Sequence, residues 1–175
     1  YIWGAQLEAL SYATSYIPTS GSTVTRNQDV CTNGGSLASI NSTEGVLYAE
    51  IAALSDDGTY RILSLSNGTS DERIYMQYTN ASNTISVVVK KGSVTQANIS
   101  FALSDETEFS KIGFKYKEND FALWVNGVKV GTDTSGNTPI GLSELAFDSG
   151  TGGNNFFGKT KAVAVWKEAL SDQEL

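Results

Sequence analysis

Residues 109–130, FSKIGFKYKENDFALWVNGVKV, carry the clearest pattern in the chain. Ile112, Phe114 and Tyr116 alternate with Lys111, Gly113, Lys115 and Lys117, apolar on one side and polar or small on the other. Glu118, Asn119 and Asp120 turn the chain. Phe121, Leu123 and Val125 then alternate with Ala122, Trp124 and Asn126. Asn126-Gly127 is the strongest short hairpin signal, because a type I′ turn needs two consecutive residues that tolerate positive φ. Val128 and Val130 open a third run. The segment reads as a three-stranded antiparallel meander whose apolar face needs a second sheet to cover it.

The same pattern recurs on both sides. Residues 44–54, EGVLYAEIAAL, have apolar spacing that fits a helix. The alternation of Leu47, Ala49 and Ile51 with Tyr48 and Glu50 favours a strand. Further strands are predicted at 60–66, at 73–78 (Ile74, Met76 and Tyr78 opposed to Arg73, Tyr75 and Gln77), at 84–90, at 94–103, at 142–147 and in KTKAVAVW. Asp56-Asp57-Gly58, Asn67-Gly68, residues 80–83 and Lys91-Gly92 read as turns, Asn67-Gly68 as a second hairpin turn. Residues 131–141 and 149–155 are glycine-bearing loops. LSDQEL at 170–175 starts like a helix, with Ser171 as cap and Glu174 completing a capping box. No helical crossover is long enough for a parallel sheet. The prediction is all-β: a two-sheet antiparallel β-sandwich or jelly roll over residues 32–175. Residues 1–31 precede it as a strand-like segment, 1–8, and an extended arm. The arm is rich in Ser and Thr, broken by Pro18 and Gly21, and pinned to a neighbour by Tyr12 and Tyr16. This piece can also be the end of an upstream β-domain.

Composition narrows the function. A chain of 175 residues buries about 70% of its unfolded surface, enough for a core without staples. The net charge of −7 argues against nucleic acid, whose binding runs on Lys and Arg, and against an anionic membrane surface. It is compatible with a neutral sugar or with calcium. There is no histidine, which removes His-based triads, Cys–His dyads and imidazole zinc sites. The single cysteine, Cys31, rules out an intrachain disulfide. No apolar run is long enough to insert in a membrane. The chain starts in mid-pattern at Tyr1 and stops at Leu175 without a terminating element, as expected of a fragment of a longer protein.

KIGFKYKENDFALWVNGVKV and the ending GKTKAVAVWKEALSDQEL resemble the concanavalin A-like (laminin G-like) jelly-roll family over residues 44–175. There a strand–YVNG–strand hairpin and a final V-x-V-W/Y-x-x-x-L-S-D-x-E-L segment recur. Here these are Trp124-Val125-Asn126-Gly127 and residues 163–175. The arm, YIWGAQLE…SYIPTSGSTVTR, is similar to a segment of bacteriophage tail-fibre and adhesin-like proteins. That resemblance implies a virion or extracellular setting, recognition of a cell-surface glycan, and a homotrimeric parent fibre. Glucan-hydrolysing relatives carry E-x-D-x-x-E on one strand. No such spacing occurs here, and the nearest acidic cluster, 105–108, sits between strands, so the expectation is a non-catalytic, lectin-like module. The alternatives are a structural spacer or trimerisation module of a fibre, and a carbohydrate-binding module of a secreted bacterial polysaccharidase.

A sugar site needs a flat aromatic for the C–H face and planar polar groups for the hydroxyls. Trp124 is the first candidate, since it is out of phase with Leu123 and Val125. Tyr75 and Arg73 are out of phase with Ile74 and Met76, so the three are expected to line one exposed sheet face. The competing reading covers that face with a loop or the arm and makes Trp124 a packing residue. Trp166 is expected to pack against the terminal LSDQEL turn. For calcium, the candidate oxygens are Asp56 and Asp57 in their tight turn, and Asp133 and Asp148 in glycine-bearing loops. No D-x-D-x-D-G loop is present, and a solvated acidic turn is the competing reading for each.

Overall fold

Alternation of apolar and polar residues becomes ten strands in the computed structural model, which describes residues 4–7, 15–25 and 34–175. The chain divides into two units, Tyr1–Val30 and Cys31–Leu175. In the first, Gly4–Leu7 is not a strand, and Gly4 takes a φ of 76° that only glycine adopts freely. The Gln6 carboxamide oxygen accepts from the Ile17 amide at 2.8 Å, and its nitrogen donates to the Ser15 carbonyl at 3.4 Å. The Tyr16 ring lies against Gly4. The rest of the predicted 1–8 strand, Tyr12 and Cys31 lie outside the described residues.

The second unit is built of β1 (Glu44–Ala53), β2 (Arg61–Ser66), β3 (Arg73–Tyr78), β4 (Thr84–Lys91), β5 (Val94–Ala102), β6 (Ser110–Lys117), β7 (Phe121–Val125), β8 (Val128–Asp133), β9 (Glu144–Ala146) and β10 (Gly158–Trp166). They form two five-stranded sheets, in the order β10-β1-β6-β7-β8 (sheet 1) and β5-β4-β3-β2-β9 (sheet 2). Every pairing within the two sheets is antiparallel. The all-β, two-sheet sandwich read from the sequence is therefore the fold.

The apolar phase of each strand meets that of the other sheet. Leu47, Ala49 and Ile51 of β1, Ile112, Phe114 and Tyr116 of β6, and Phe121 and Leu123 of β7 pack against Leu63 and Leu65 of β2, Ile74, Met76 and Tyr78 of β3, and Ile85, Val87 and Val89 of β4. The buried Tyr116 hydroxyl donates to the Asn41 carbonyl at 2.7 Å, which satisfies its polar end. β5 and β8, the edge strands on one side, approach closely because β8 carries Gly131, where a Cβ would run into Ile99 of β5.

Turn chemistry follows the predictions in part. Asn126 and Gly127 have φ of 52° and 78°, the type I′ turn that was read. At Asn67-Gly68 only the glycine has positive φ, at 84°. The Asn67 carboxamide instead accepts from the Thr69 amide at 3.1 Å and hydroxyl at 2.7 Å, so the chain makes an Asx turn within a longer loop. LSDQEL is a turn, not the start of a helix. Glu174 still closes back on Ser171, accepting from its amide at 2.9 Å and its hydroxyl at 2.7 Å.

Candidate functional site

Trp124, Tyr75 and Arg73 do point away from the core, but they do not share a face. Trp124 is on β7 in sheet 1, while Arg73 and Tyr75 are on β3 in sheet 2. Their side chains stand on opposite outer surfaces of the sandwich, which corrects the expectation of one common face.

Trp124 is also covered, with 4% of its surface exposed. The Lys115 and Lys129 ammonium groups stand 5.8 and 5.7 Å from its ring centroid. Asp172 of the terminal turn pairs with both lysines, at 3.8 Å to Lys115. Lys115 has a second partner in Asp120 at 2.9 Å. Gly113 lies opposite both Tyr48 and Trp124 in the sheet, and Leu175 fills the space above it. The terminal segment thus runs out from β10 and ends over β6 beside Trp124. Trp166, expected under that turn, keeps 40% of its surface exposed and has Tyr48 as its aromatic neighbour.

On the outer face of sheet 2, pairing sets the rows Ser66–Arg73–Lys90, Ser64–Tyr75–Val88–Asn98 and Ile62–Gln77–Ser86–Ser100. The Arg73 guanidinium stacks on the Tyr75 ring at 4.6 Å, and its Nη1 donates to the Ser149 carbonyl at 2.5 Å. Tyr75 is 9% exposed and clusters with Ile62 and Val88. Burial raises the Tyr75 hydroxyl's pKa, and Arg73 partly opposes that. The loop after β9 lies on β2 here. Gly150, with a φ of 83°, sits so close that a Cβ would stand 2.8 Å from Ser66. Tyr75 is therefore a packed ring with an arginine on its face, not an open platform.

The four candidate calcium ligands are each engaged locally. Asp57 accepts from the Ser55 hydroxyl at 2.7 Å, the Thr59 amide at 3.0 Å and the Arg61 guanidinium at 2.9 Å, which together hold its carboxyl well below the usual range. Asp56 accepts from Ser82. Asp133 accepts from the Ser135 amide at 3.0 Å, and buried Asp148 from the Gly150 amide at 2.6 Å. Among the described residues no three acidic or thiol side chains come together in a way that could hold a metal.

An open aromatic pair lies on sheet 1, beside the terminal segment. Pairing of β1 with β10 places Val46 opposite Trp166, Tyr48 opposite Ala164 and Glu50 opposite Ala162. Tyr48 and Trp166 meet edge to face, with centroids 6.2 Å apart and planes at 77°. Ala162 and Ala164 give the strip between them a low floor. At its far end a bulge at Glu50/Ile51 brings Lys161 to within 3.3 Å of the Glu50 carboxylate. Glu50 adds its charge to desolvation in raising the Tyr48 hydroxyl's pKa. The result is a trough with an indole wall, a phenol, an alanine floor and an ion pair whose lysine is exposed and whose glutamate is partly covered. Sequence reasoning missed it. The only available signal was the outward phase of Tyr48 and Glu50 on β1, with no indication that β10 would bring Trp166 beside them.

The match to a family model covers residues 24–175, and its description is the concanavalin A-like lectin/glucanases superfamily. A comparison with curated protein sequences finds no match. Among solved structures, the chain is similar to the CBM40 of the Ruminococcus gnavus IT-sialidase, at 20% identity and a TM-score of 0.62, over 77% of this chain and 82% of that one. It is similar to a SAP-like pentraxin from Limulus polyphemus, at 15% identity and 0.59, over 82% and 71%. It is also similar to sheep galectin-11, at 10% identity and 0.52, over 80% and 99%. These likenesses bear on the sandwich and its strand arrangement. With the family match spanning most of the sequence, the chain belongs to the concanavalin A-like lectin/glucanase superfamily.

Proposed function

We propose that this is a non-catalytic carbohydrate-binding domain and that a glycan lies along the β1/β10 trough of sheet 1. The observation that carries the reading is the exposed Trp166 set edge to face with Tyr48, in line with the Glu50–Lys161 pair. An indole face stacks on the apolar face of a pyranose, while a carboxylate and an ammonium group accept from and donate to its hydroxyls. From Trp166 to Ala162 the trough runs four residues of extended chain, about 13 Å at about 3.3 Å per residue, the reach of an oligosaccharide rather than one ring. Related structures support the ligand class: the Ruminococcus gnavus module has been solved bound to α2,3 sialyllactose. The absence of the E-x-D-x-x-E strand pattern supports a binding role over hydrolysis. The arm's likeness to phage tail-fibre and adhesin segments supports receptor recognition at a bacterial surface, on a virion or outside a cell, within a homotrimeric parent.

The test is calorimetric titration of the whole chain against bacterial surface polysaccharides and their oligosaccharides. Trp166→Ala is expected to weaken binding at least tenfold and Tyr48→Ala several-fold. Trp124→Ala and Arg73→Ala, where folded, are expected to stay within about twofold. Binding that survives Trp166→Ala would move the site off this trough. No binding to any glycan would favour the spacer role.

A further inference from the structure

Five buried side-chain polar atoms among the described residues have no hydrogen-bond partner in the protein: Ser64 Oγ, Arg73 Nε, Arg61 Nε, Tyr78 OH and Glu106 Oε2. Buried polar groups are nearly always satisfied, so each of these needs an explanation. The first two lie on the outer face of sheet 2. The last three belong to one end of the sandwich interior.

Arg61 opens β2 directly opposite Tyr78, which closes β3. Both face inward, in phase with Leu63 and Met76. Glu106 closes the same end from the β5–β6 connection. Its carbonyl accepts from the Ala53 amide at 2.7 Å, and its own amide donates to Asn83 Oδ1 at 2.9 Å. The three residues are 2%, 0% and 1% exposed. The other Arg61 nitrogens are used: Nη1 donates to the Thr59 carbonyl at 3.1 Å, and Nη2 to Asp57 at 2.9 Å and Ser55 at 3.2 Å. Of its three nitrogens, only Nε has no partner. Strand pairing sets Arg61 beside Tyr78, and the Glu106 amide is tied to Asn83 just past β3, so the three groups gather at one end of the interior, in keeping with the electrostatic pull of Glu106 and Arg61 on the Tyr78 hydroxyl.

We infer that a buried water molecule sits between Arg61 Nε, Tyr78 OH and Glu106 Oε2. The donor–acceptor balance fits one water. With Glu106 ionised, above about pH 7, the water accepts from the guanidinium Nε–H, donates to the carboxylate oxygen, and exchanges its remaining hydrogen bond with the phenol. Buried waters make about three such bonds. A cation is disfavoured by the Arg61 guanidinium, and an anion by Glu106 with Asp56 and Asp57 nearby. The water ties the start of β2, the end of β3 and the β5–β6 connection into one hydrogen-bonded cap.

A high-resolution crystal structure of the whole chain tests this directly. It should show one ordered water within about 2.7–3.2 Å of all three atoms. Direct contacts among the three side chains, or no water between them, would overturn the inference. A second measurement is independent of crystals. Tyr78→Phe removes only the hydroxyl oxygen. If that oxygen holds the water, Tm falls by several degrees and the water's long-residence nuclear Overhauser signal weakens. If it has no partner, deleting it leaves Tm unchanged or raises it, and the inference fails. Glu106→Gln keeps an acceptor at the same place and is expected to retain the water.

Discussion

Glu106 is a side chain whose burial makes stability depend on pH near neutrality. Burial pushes its carboxyl up to about 7 from an ordinary 4.5, and Asp56 adds to the shift while Arg61 opposes it. The groups facing it are Asp56, Asp57 and Arg61 from the β1–β2 side and Tyr78 from β3. Because the folded pKa is raised, the native state holds a proton that the unfolded chain gives up between pH 4.5 and about 7. Stability therefore falls as pH rises through that window. At about 1.4 kcal/mol per pH unit, the effect is at most about 3 kcal/mol. Asp57 works in the opposite sense: its carboxyl is held below the usual range, so its contribution is lost as pH drops below about 4. Thermal melts should show Tm rising from pH 7.5 to 5 and falling below about pH 3.5. Glu106→Gln should flatten the upper arm only; an unchanged profile would remove Glu106 as its cause. Gly136 makes a second prediction. Its φ is 139°, and a Cβ there would stand 2.6 Å from the Gln96 carbonyl. Gly136→Ala should lower unfolding free energy by about 2–3 kcal/mol in urea titrations, through a backbone conformation closed to alanine as much as through the clash. Neither residue was legible in the sequence. Glu106 read only as part of an acidic cluster between strands, because residue type does not reveal which loop end is folded inward.

Individual strands were far more legible than their arrangement. Most were read from period-two alternation between turn residues whose chemistry is local, while β9, at three residues, is too short to alternate and the segment read at 1–8 is not a strand where it is described. The alternation also gave the side of each strand that faces the core. It could not say which outward faces belong together, since that depends on sheet order. This is why Trp124 was grouped with Arg73 and Tyr75 across two different sheets. The terminal turn was another partial success. Its Ser171–Glu174 closure was read correctly, but its position was not: it covers Trp124 rather than Trp166. That segment is held by Asp172, Leu175 and Lys115 against an indole, with the carboxylate about half exposed, so the ion pairs themselves add little. Its main effect is to exclude water from Trp124. In a Trp3→Phe, Trp166→Phe background, removing residues 170–175 should shift Trp124 emission to the red and raise its iodide quenching several-fold. Emission and quenching that do not change would mean that Trp124 is buried by something else. The truncation also asks whether Trp124, one strand beyond Gly113 from Tyr48, extends the trough once uncovered.

At the scale of the whole molecule, charge and site make a joint prediction. The chain carries a net charge of −7, while the trough ends in an ion pair that is itself neutral. Binding through stacking and hydrogen bonds to a neutral glycan releases no counterions, so it should be nearly independent of salt. The surrounding negative field makes a different forecast for a polyanionic polysaccharide. It opposes approach at low ionic strength and is screened within about 8–10 Å near 0.1–0.15 M salt. Titrations at about 0.05 and 0.5 M sodium chloride separate the cases. For a neutral oligosaccharide that needs Trp166, Kd should change by less than about twofold. For an acidic glycan, affinity should rise with salt if only the net field matters. A steep loss of affinity with salt would show instead that lysines carry the binding. The exposed cations would then have to be sought beyond Lys161, whose ammonium already stands 4.0 Å from the Phe109 ring centroid and beside Glu50. Salt insensitivity together with dependence on Trp166 would tie the affinity to the open Tyr48–Trp166 pair on sheet 1.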